Sequence, residues 1–230
     1  MNKTDQLKAR LAASSYISKV VDFEKEKDNL LLFDLTASNN ELSAEIFEDT
    51  TRFSLWVNDQ LAKHGCRYAI GGYNEHRTIY ARSSHFDTPA EEPRRLHLGV
   101  DIWGAEGTPV YNFHNATVHS FRFNNHYGDY GATIILEYSF DDLIVFGLYG
   151  HLSLASLDGL EKGMEIRAGK QFAFIGKPEE NGHWPPHLHF QMIFDMEGME
   201  GDYPGVCQLS KSQHYLNNCP DPALILNSTF

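Results

Sequence analysis

The sequence HLHFQMIF at residues 187–194 alternates along its length and is rich in aromatic and branched side chains. This pattern favours a β-strand, in which residues two apart point to the same face. His187 and His189 are therefore expected to project side by side from one strand. A mainly β fold is the first prediction that follows from this stretch.

A second pair of metal-binding residue types lies in the sequence HLGVD at residues 97–101. His97 and Asp101 are four apart, an even number, and a glycine and a valine between them are poor helix formers. We expect one strand to carry both side chains on the same face. Beside the strand of His187 and His189, it would bring four metal-binding groups together.

The ligand types indicate the metal. Imidazole and carboxylate suit zinc, and three protein ligands leave a fourth position open to water, as in catalytic zinc sites. Five residues compete for about three places, and they are His97, Asp101, His151, His187 and His189. Two imidazoles would then remain beside the metal, ready to exchange protons with a water whose pKa zinc lowers to about 7. We predict one zinc ion.

Composition and charge exclude several classes of partner. The chain has 230 residues, of which 42% are hydrophobic and 22% charged. This is ordinary for a folded soluble protein and is enough for one ample core, or for one core plus a smaller appendage. The formal net charge of −12 argues against nucleic acid and against an anionic membrane surface. No apolar run approaches the ~20 residues of a membrane-spanning helix. These exclusions leave a peptide or small-molecule substrate open.

The N-terminus and the cysteines bear on the compartment. The first residues are of mixed charge, and no apolar stretch of a secretory signal follows them. Cys66, Cys207 and Cys219 are odd in number and show no CxxC spacing, so we interpret them as reduced thiols. We predict a cytoplasmic protein, with a secreted mature form as the alternative.

The chain divides into three predicted parts. Residues 1–92 are expected to form an N-terminal helical and connector region, in which a helix spans about 43–64 and ends at Gly65. Residues 93–195 are expected to form a β domain, because their successive short strands and short turns are typical of a meander or a sandwich. Residues 196–230 are expected to be a tail packed on the core.

Four short motifs follow one another in the chain, namely HLGVD at 97–101, GTPV at 107–110, YGHLS at 149–153 and PHLHF at 186–190. This order resembles the lysostaphin/LytM-type zinc endopeptidases. That family is typified by HxGxD, then Gly-Thr-Pro-Val, then Tyr-x-His-Leu, then HLHF after a glycine-rich turn. The similarity covers roughly residues 95–194 and includes every functional position.

The resemblance implies a compact, mostly antiparallel β core (LytM-like, with a duplicated hybrid motif) that holds zinc in a groove. It implies that His97, Asp101 and His189 are the zinc ligands. His151 and His187 match the two non-ligand histidines of the family, a general base and a group that stabilises the transition-state oxyanion. We assign the base to His187 and the oxyanion contact to His151, and the reverse assignment stays open.

The segment Tyr73–Arg77 follows two glycines and allows two interpretations. It is either a solvated loop or a segment folded over the groove, where Asn74, Glu75 or His76 could contact substrate or act as a removable fourth ligand. This stretch also has a looser resemblance to a subgroup of the family, whose domains occur alone or fused to cytosolic aminotransferase-like and kinase-like enzymes.

The resemblance therefore implies a zinc metallopeptidase that hydrolyses an amide bond in a small or glycine-containing peptide, with cell-wall peptides as one source. Two other hypotheses are a zinc-stabilised binding or regulatory module and a cytosolic hydrolase of a non-peptide substrate. A degenerate binding module is expected to lose a ligand or a catalytic histidine. All five residues are present here, which favours the enzyme.

Overall fold

The computed structural model describes residues 2–14, 16–87, 89 and 91–226. The α-helices are α1 (Lys3–Ala13), α2 (Ala44–Phe47), α3 (Thr50–His64), α4 (Ser212–Asn218) and α5 (Ala223–Leu226). The strands are β1 (Leu30–Phe33), β2 (Tyr68–Gly71), β3 (Leu96–His97), β4 (Val100–Trp103), β5 (Pro109–Tyr111), β6 (Ala116–Asn124), β7 (Gly131–Phe140), β8 (Leu143–Leu152), β9 (Glu165–Ile166), β10 (Gln171–Phe174), β11 (His187–Ile193) and β12 (Val206–Cys207). Short 3-10 helices lie at Ile79–Arg82, Ser84–Phe86, Leu154–Leu157 and Leu209–Lys211.

One large sheet organises these elements. It has eight strands in the order β1-β2-β4-β11-β8-β7-β6-β9. Its neighbouring strands are antiparallel, apart from the parallel pair β1 and β2. Two small sheets pair β10 with β5 and β12 with β3. The predicted mainly β, mostly antiparallel fold with an N-terminal helical segment is confirmed.

Strand β11 lies inside the large sheet, and all seven of its residues are buried. It pairs with β4 on one side and with β8 on the other. His189 lies opposite Asp101 of β4 and opposite Gly150 of β8. The register therefore brings residues that are far apart in the sequence to one place, with His151 next along β8.

Aromatic packing fixes the strand that carries His151. The ring of Tyr138 on β7 stacks on Phe113 with centroids 4.2 Å apart, and its hydroxyl is 2.6 Å from that of Tyr149 on β8. Tyr149 also packs against Phe190 of β11 at 5.1 Å. Because these rings are fully buried, they hold β7, β8 and β11 in a fixed arrangement.

The prediction that one strand carries both His97 and Asp101 is wrong. His97 ends β3, which pairs with β12, whereas Asp101 belongs to β4 of the large sheet. The chain turns between them at Gly99, which packs directly on His189. A Cβ at Gly99 would lie 2.6 Å from His189 Cε1, so the backbone itself covers the imidazole.

The N-terminal region contributes to the same sheet. Strand β2 pairs with β4, and Gly71 lies opposite Asp101. Strand β1 lies at the sheet edge, where Leu32 is 78% exposed. The sheet thus crosses the proposed boundary between residues 92 and 93, and the division into three parts stays a prediction.

The helix predicted over 43–64 is interrupted. Asp49 has an extended backbone and accepts a hydrogen bond from Arg52 N at 2.8 Å, so it caps the start of α3 and separates it from α2. Helix α3 buries Phe53 and Val57 against the sheet strands and ends at Gly65, as predicted, with φ of +61°.

In the described part of the chain, no helix is both long and apolar enough to cross a membrane. Cys66, Cys207 and Cys219 are free thiols. The cytoplasmic location stays a prediction.

The cap of α3 can be tested by substitution. Asp49→Ala removes the acceptor for Arg52 N and should lower the free energy of unfolding by about 1 kcal/mol. Ser43→Ala is the matched control, because Ser43 precedes α2 but makes no capping hydrogen bond through its side chain. Denaturant unfolding measures both, and equal effects of the two substitutions would contradict the role of Asp49.

Candidate metal centre

Three side chains from β3, β4 and β11 converge on one point. His97 Nε2 and His189 Nδ1 are 3.0 Å apart, and Asp101 Oδ1 lies 3.0 Å from His189 Nδ1 and 3.3 Å from His97 Nε2. All three residues are buried. Among the described residues they form the one group of three or more His, Cys, Asp or Glu with ligand atoms close enough to share a metal ion.

A main-chain carbonyl fixes the proton of His97. Its Nδ1 lies 3.0 Å from Gly72 O, and because a carbonyl can only accept, Nδ1 donates. A neutral imidazole has one N–H, so Nε2 presents a lone pair to the cluster. The neutral form is favoured because burial, together with the charge of Arg77, lowers the pKa of His97 to about 4.

An amide fixes the proton of His189 in the same way. Gln191 donates its Nε2–H to Pro204 O at 3.1 Å, so its Oε1 faces His189. His189 Nε2 lies 2.9 Å from this oxygen and donates to it. His189 Nδ1 therefore presents its own lone pair to the cluster.

The cluster is a set of acceptors without a donor. Two bare imidazole nitrogens and one carboxylate oxygen face one another, and burying them together is unfavourable unless a cation lies between them. In a tetrahedral zinc site with bonds of about 2.0–2.1 Å, neighbouring ligand atoms are roughly 3.3–3.4 Å apart, close to the separations found here. The donor set fits zinc.

Asp101 is held in its anionic form. Burial by itself would raise the pKa of Asp101, but His97, the Arg77 guanidinium and His187 outweigh burial and hold that pKa well below its usual range. The carboxylate is thus available as a charged ligand. Its second oxygen, Oδ2, accepts a hydrogen bond from Arg77 Nη1.

Two further imidazoles lie beside the cluster. His187 Nδ1 donates to Pro185 O and His151 Nδ1 donates to Asn181 O, each at 2.7 Å. Both Nε2 atoms are therefore free to accept a proton. The ring centroids of the two histidines are 4.1 Å apart, and His187 also stacks on Trp103 at 4.1 Å.

Both of these histidines are neutral in the buried site. Burial lowers the pKa of His187 to about 4, and burial together with His187 holds the pKa of His151 well below its usual range. His151 also has a left-handed backbone, with φ of +60°, which is uncommon for a residue other than glycine and typical of functional sites. Each of the two neutral rings can therefore accept a proton at Nε2.

A cavity of about 280 Å³ lies against the cluster. Asp101, His151, His187 and His189 form part of its wall. Other lining residues are Tyr80, Phe86, Arg94, Tyr130, Trp184 and Asp202. The cavity thus combines aromatic rings with charged groups of both signs.

All five residues singled out in the sequence come together here, but several others that complete the site were missed. The missed groups are Gly72 O, Asn181 O, Arg77 and Gln191. In the segment Tyr73–Arg77, Asn74 and His76 are exposed and outside the ligand group. The only sequence signal for Gln191 was its even spacing from His189.

His183 is also set apart from the cluster. Its side chain is exposed and stacks on Tyr127, with ring centroids 5.5 Å apart. It is not among the cavity-lining residues.

The region of the chain that contains the cluster is similar to known proteins. Residues 95–200 match peptidase family M23. The catalytic domain of the antimicrobial peptidase lysostaphin from Staphylococcus simulans is 21% identical, with 70% of this chain and 96% of that chain covered and a TM-score of 0.41. A zinc-containing peptidase from Vibrio cholerae is 25% identical, with 46% and 29% covered and a TM-score of 0.35.

A third similar structure is Csd3 from Helicobacter pylori, at 21% identity, with 54% of this chain and 32% of that chain covered and a TM-score of 0.35. The chain therefore spans less than a third of the Vibrio cholerae and Helicobacter pylori chains. No curated protein matches the sequence.

The ligand assignment predicts which histidines hold metal. His97→Ala and His189→Ala should each weaken zinc binding by more than about a hundredfold, because losing even an outer contact to a ligand costs about 10–100-fold. Competition with a chromogenic chelator measures the affinity. His119→Ala is the control, since His119 is partly buried but lies outside the cluster; wild-type affinity in His97→Ala or His189→Ala would refute the assignment.

Proposed function

We propose that this chain, whose residues 95–200 match peptidase family M23, is a zinc metallopeptidase that hydrolyses an amide bond in a small or glycine-containing peptide. The observation that supports this most directly is the orientation of four buried histidines. Two present bare nitrogens to Asp101, and two present bare Nε2 atoms beside them.

In this proposal His97, Asp101 and His189 hold the zinc ion. When bound, zinc supplies a Lewis acid for the amide carbonyl and makes a water more acidic, with a pKa near 7. Since these three ligands carry only one negative charge, a zinc ion held by them would keep a net positive charge.

His187 acts as the general base. Its Nε2 lies 3.9 Å from Asp101 Oδ1, next to the ligand set, and its Nδ1–H is committed to Pro185 O. The ring is held flat against Trp103, so Nε2 has a fixed direction in which to accept the proton of the attacking water.

His151 contacts the oxyanion. Its Nδ1–H is committed to Asn181 O, so it can donate at Nε2 only after gaining a proton. Its ring lies beside that of His187, with centroids 4.1 Å apart. In its protonated form His151 would stabilise the developing negative charge, while the proton that His187 takes from water passes to the leaving amine.

The cavity supports a small substrate. A volume of about 280 Å³ accommodates a few residues of a peptide, and Tyr80 and Phe86 form part of its wall from outside the family-matched segment. The net charge of −12 disfavours long-range attraction of anionic cell-wall polymers, although a short peptide released from them would not be subject to that repulsion to the same degree.

The proposed roles predict a separation between metal binding and turnover. His187→Ala and His151→Ala should keep zinc but lower kcat/KM by about 10²–10⁴-fold, the usual contribution of general acid–base catalysis. The substrates are a panel of oligoglycine and cell-wall stem peptides, offered to zinc-loaded protein with and without chelator.

The control is His183→Asn, which should keep full activity because His183 lies outside the cavity wall and asparagine tolerates its left-handed backbone. Chelator-insensitive cleavage, or full activity of His151→Ala, would contradict the mechanism. Stoichiometric zinc without cleavage of any peptide would favour the binding module or a non-peptide substrate instead.

A further inference from the structure

Arg77 is a fully buried arginine in the segment that follows Gly71 and Gly72. It lies outside residues 95–200, so the family match does not include it. Its guanidinium makes four contacts within the protein. Nη1 donates to Asp101 Oδ2 and to Tyr80 OH at 3.2 Å, Nε donates to Glu75 Oε2 at 2.6 Å, and Nη2 donates to Gly72 O at 3.3 Å.

The two carboxylate oxygens of Asp101 have different partners. Oδ1 faces His97 and His189, whereas Oδ2 is occupied by Arg77. A carboxylate whose second oxygen is engaged in this way is oriented to offer Oδ1 to a metal ion. Its plane is also fixed, because the guanidinium cannot move without losing Glu75 and Tyr80 as well.

Burying an arginine is costly, so this position needs a reason beyond fold stability. An ion pair in the interior rarely stabilises a fold more than apolar packing would, whereas removing one partner is strongly destabilising. The neighbouring backbone leaves room for it: a Cβ at Gly71 would lie 2.8 Å from Arg77 Nη2. Glu75 balances the positive charge that Arg77 brings towards the metal centre.

We propose that Arg77 is a positioning residue of the metal centre, which holds Asp101 Oδ2 so that Asp101 binds zinc through Oδ1 alone. This rests on the proposed function only in that the cluster binds zinc. The same segment supplies Gly72 O, which fixes the tautomer of His97. Residues 72–77 thus orient two of the three ligands from outside the family-matched segment.

The test compares zinc affinity and the visible absorption of the cobalt-substituted protein across variants. The double variant Glu75→Gln with Arg77→Met removes both charges, so no uncompensated Glu75 is left behind. It should weaken zinc binding by about 10–100-fold and change the cobalt ligand-field spectrum, because Asp101 loses its fixed orientation. Arg77→Lys keeps the positive charge without the planar guanidinium, and it should weaken zinc binding less than the double variant does.

Arg67→Met is the matched control, since Arg67 pairs with Asp22 and Asp28 on the surface and is 45% exposed. Its affinity and spectrum should match the wild type. A folded double variant with wild-type affinity and spectrum would overturn the proposal, while failure of the wild type itself to bind zinc would overturn the metal centre instead.

The wild-type protein decides the question if the double variant does not fold. In a crystal structure of the zinc-loaded enzyme, Arg77 should remain on Oδ2 with zinc on Oδ1. Zinc bound to both oxygens, with Arg77 displaced, would overturn the proposal.

Discussion

The site depends on which ring nitrogen of each buried histidine carries its proton. Every one of the four imidazoles donates its N–H away from the centre, three to main-chain carbonyls and one to Gln191. Reversing any of them would aim an N–H at the cluster and leave a buried carbonyl or amide oxygen without its donor, at a cost of about 1–3 kcal/mol. The fold therefore directs the acceptor atoms of His97 and His189 towards the place of a cation. It leaves the Nε2 lone pairs of His151 and His187 available for protons.

The sheet makes this arrangement rigid. Strand β11 supplies two histidines and is hydrogen-bonded on both sides, so its position is set by β4 and β8 together. Residues on three strands reach one point because the register pairs His189 with Asp101 and Gly150. Near the end of β8 the hydroxyl of Tyr149 contacts that of Tyr138 on β7, and there His151 adopts its left-handed backbone. Strain at that position is tolerated because its neighbours determine it.

The sequence predicts the parts of this site that depend on residue type and local spacing. The alternation of residues 187–194 gives the strand and the common face of His187 and His189, because a period of two is a local property. Local spacing failed at His97 and Asp101, because the chain turns at Gly99, whose backbone packs on His189 of a distant strand. Arg77 could not be assigned for the same reason: a polar cluster after two glycines looks like a solvated loop until the sheet brings Asp101 opposite Gly71.

The segment that matches the family and the residues that flank it thus contribute different parts of the site. Residues 95–200, which match the family, contain the three clustered residues and the two histidines beside them. Tyr80 and Phe86 before the segment and Tyr203 after it form part of the cavity wall. Arg77 and Gly72 are hydrogen-bonded to the ligands Asp101 and His97. Under the proposed function, discrimination among substrates depends on the groups that surround the reacting bond rather than on the metal ligands, so these flanking residues would contribute to the choice of substrate.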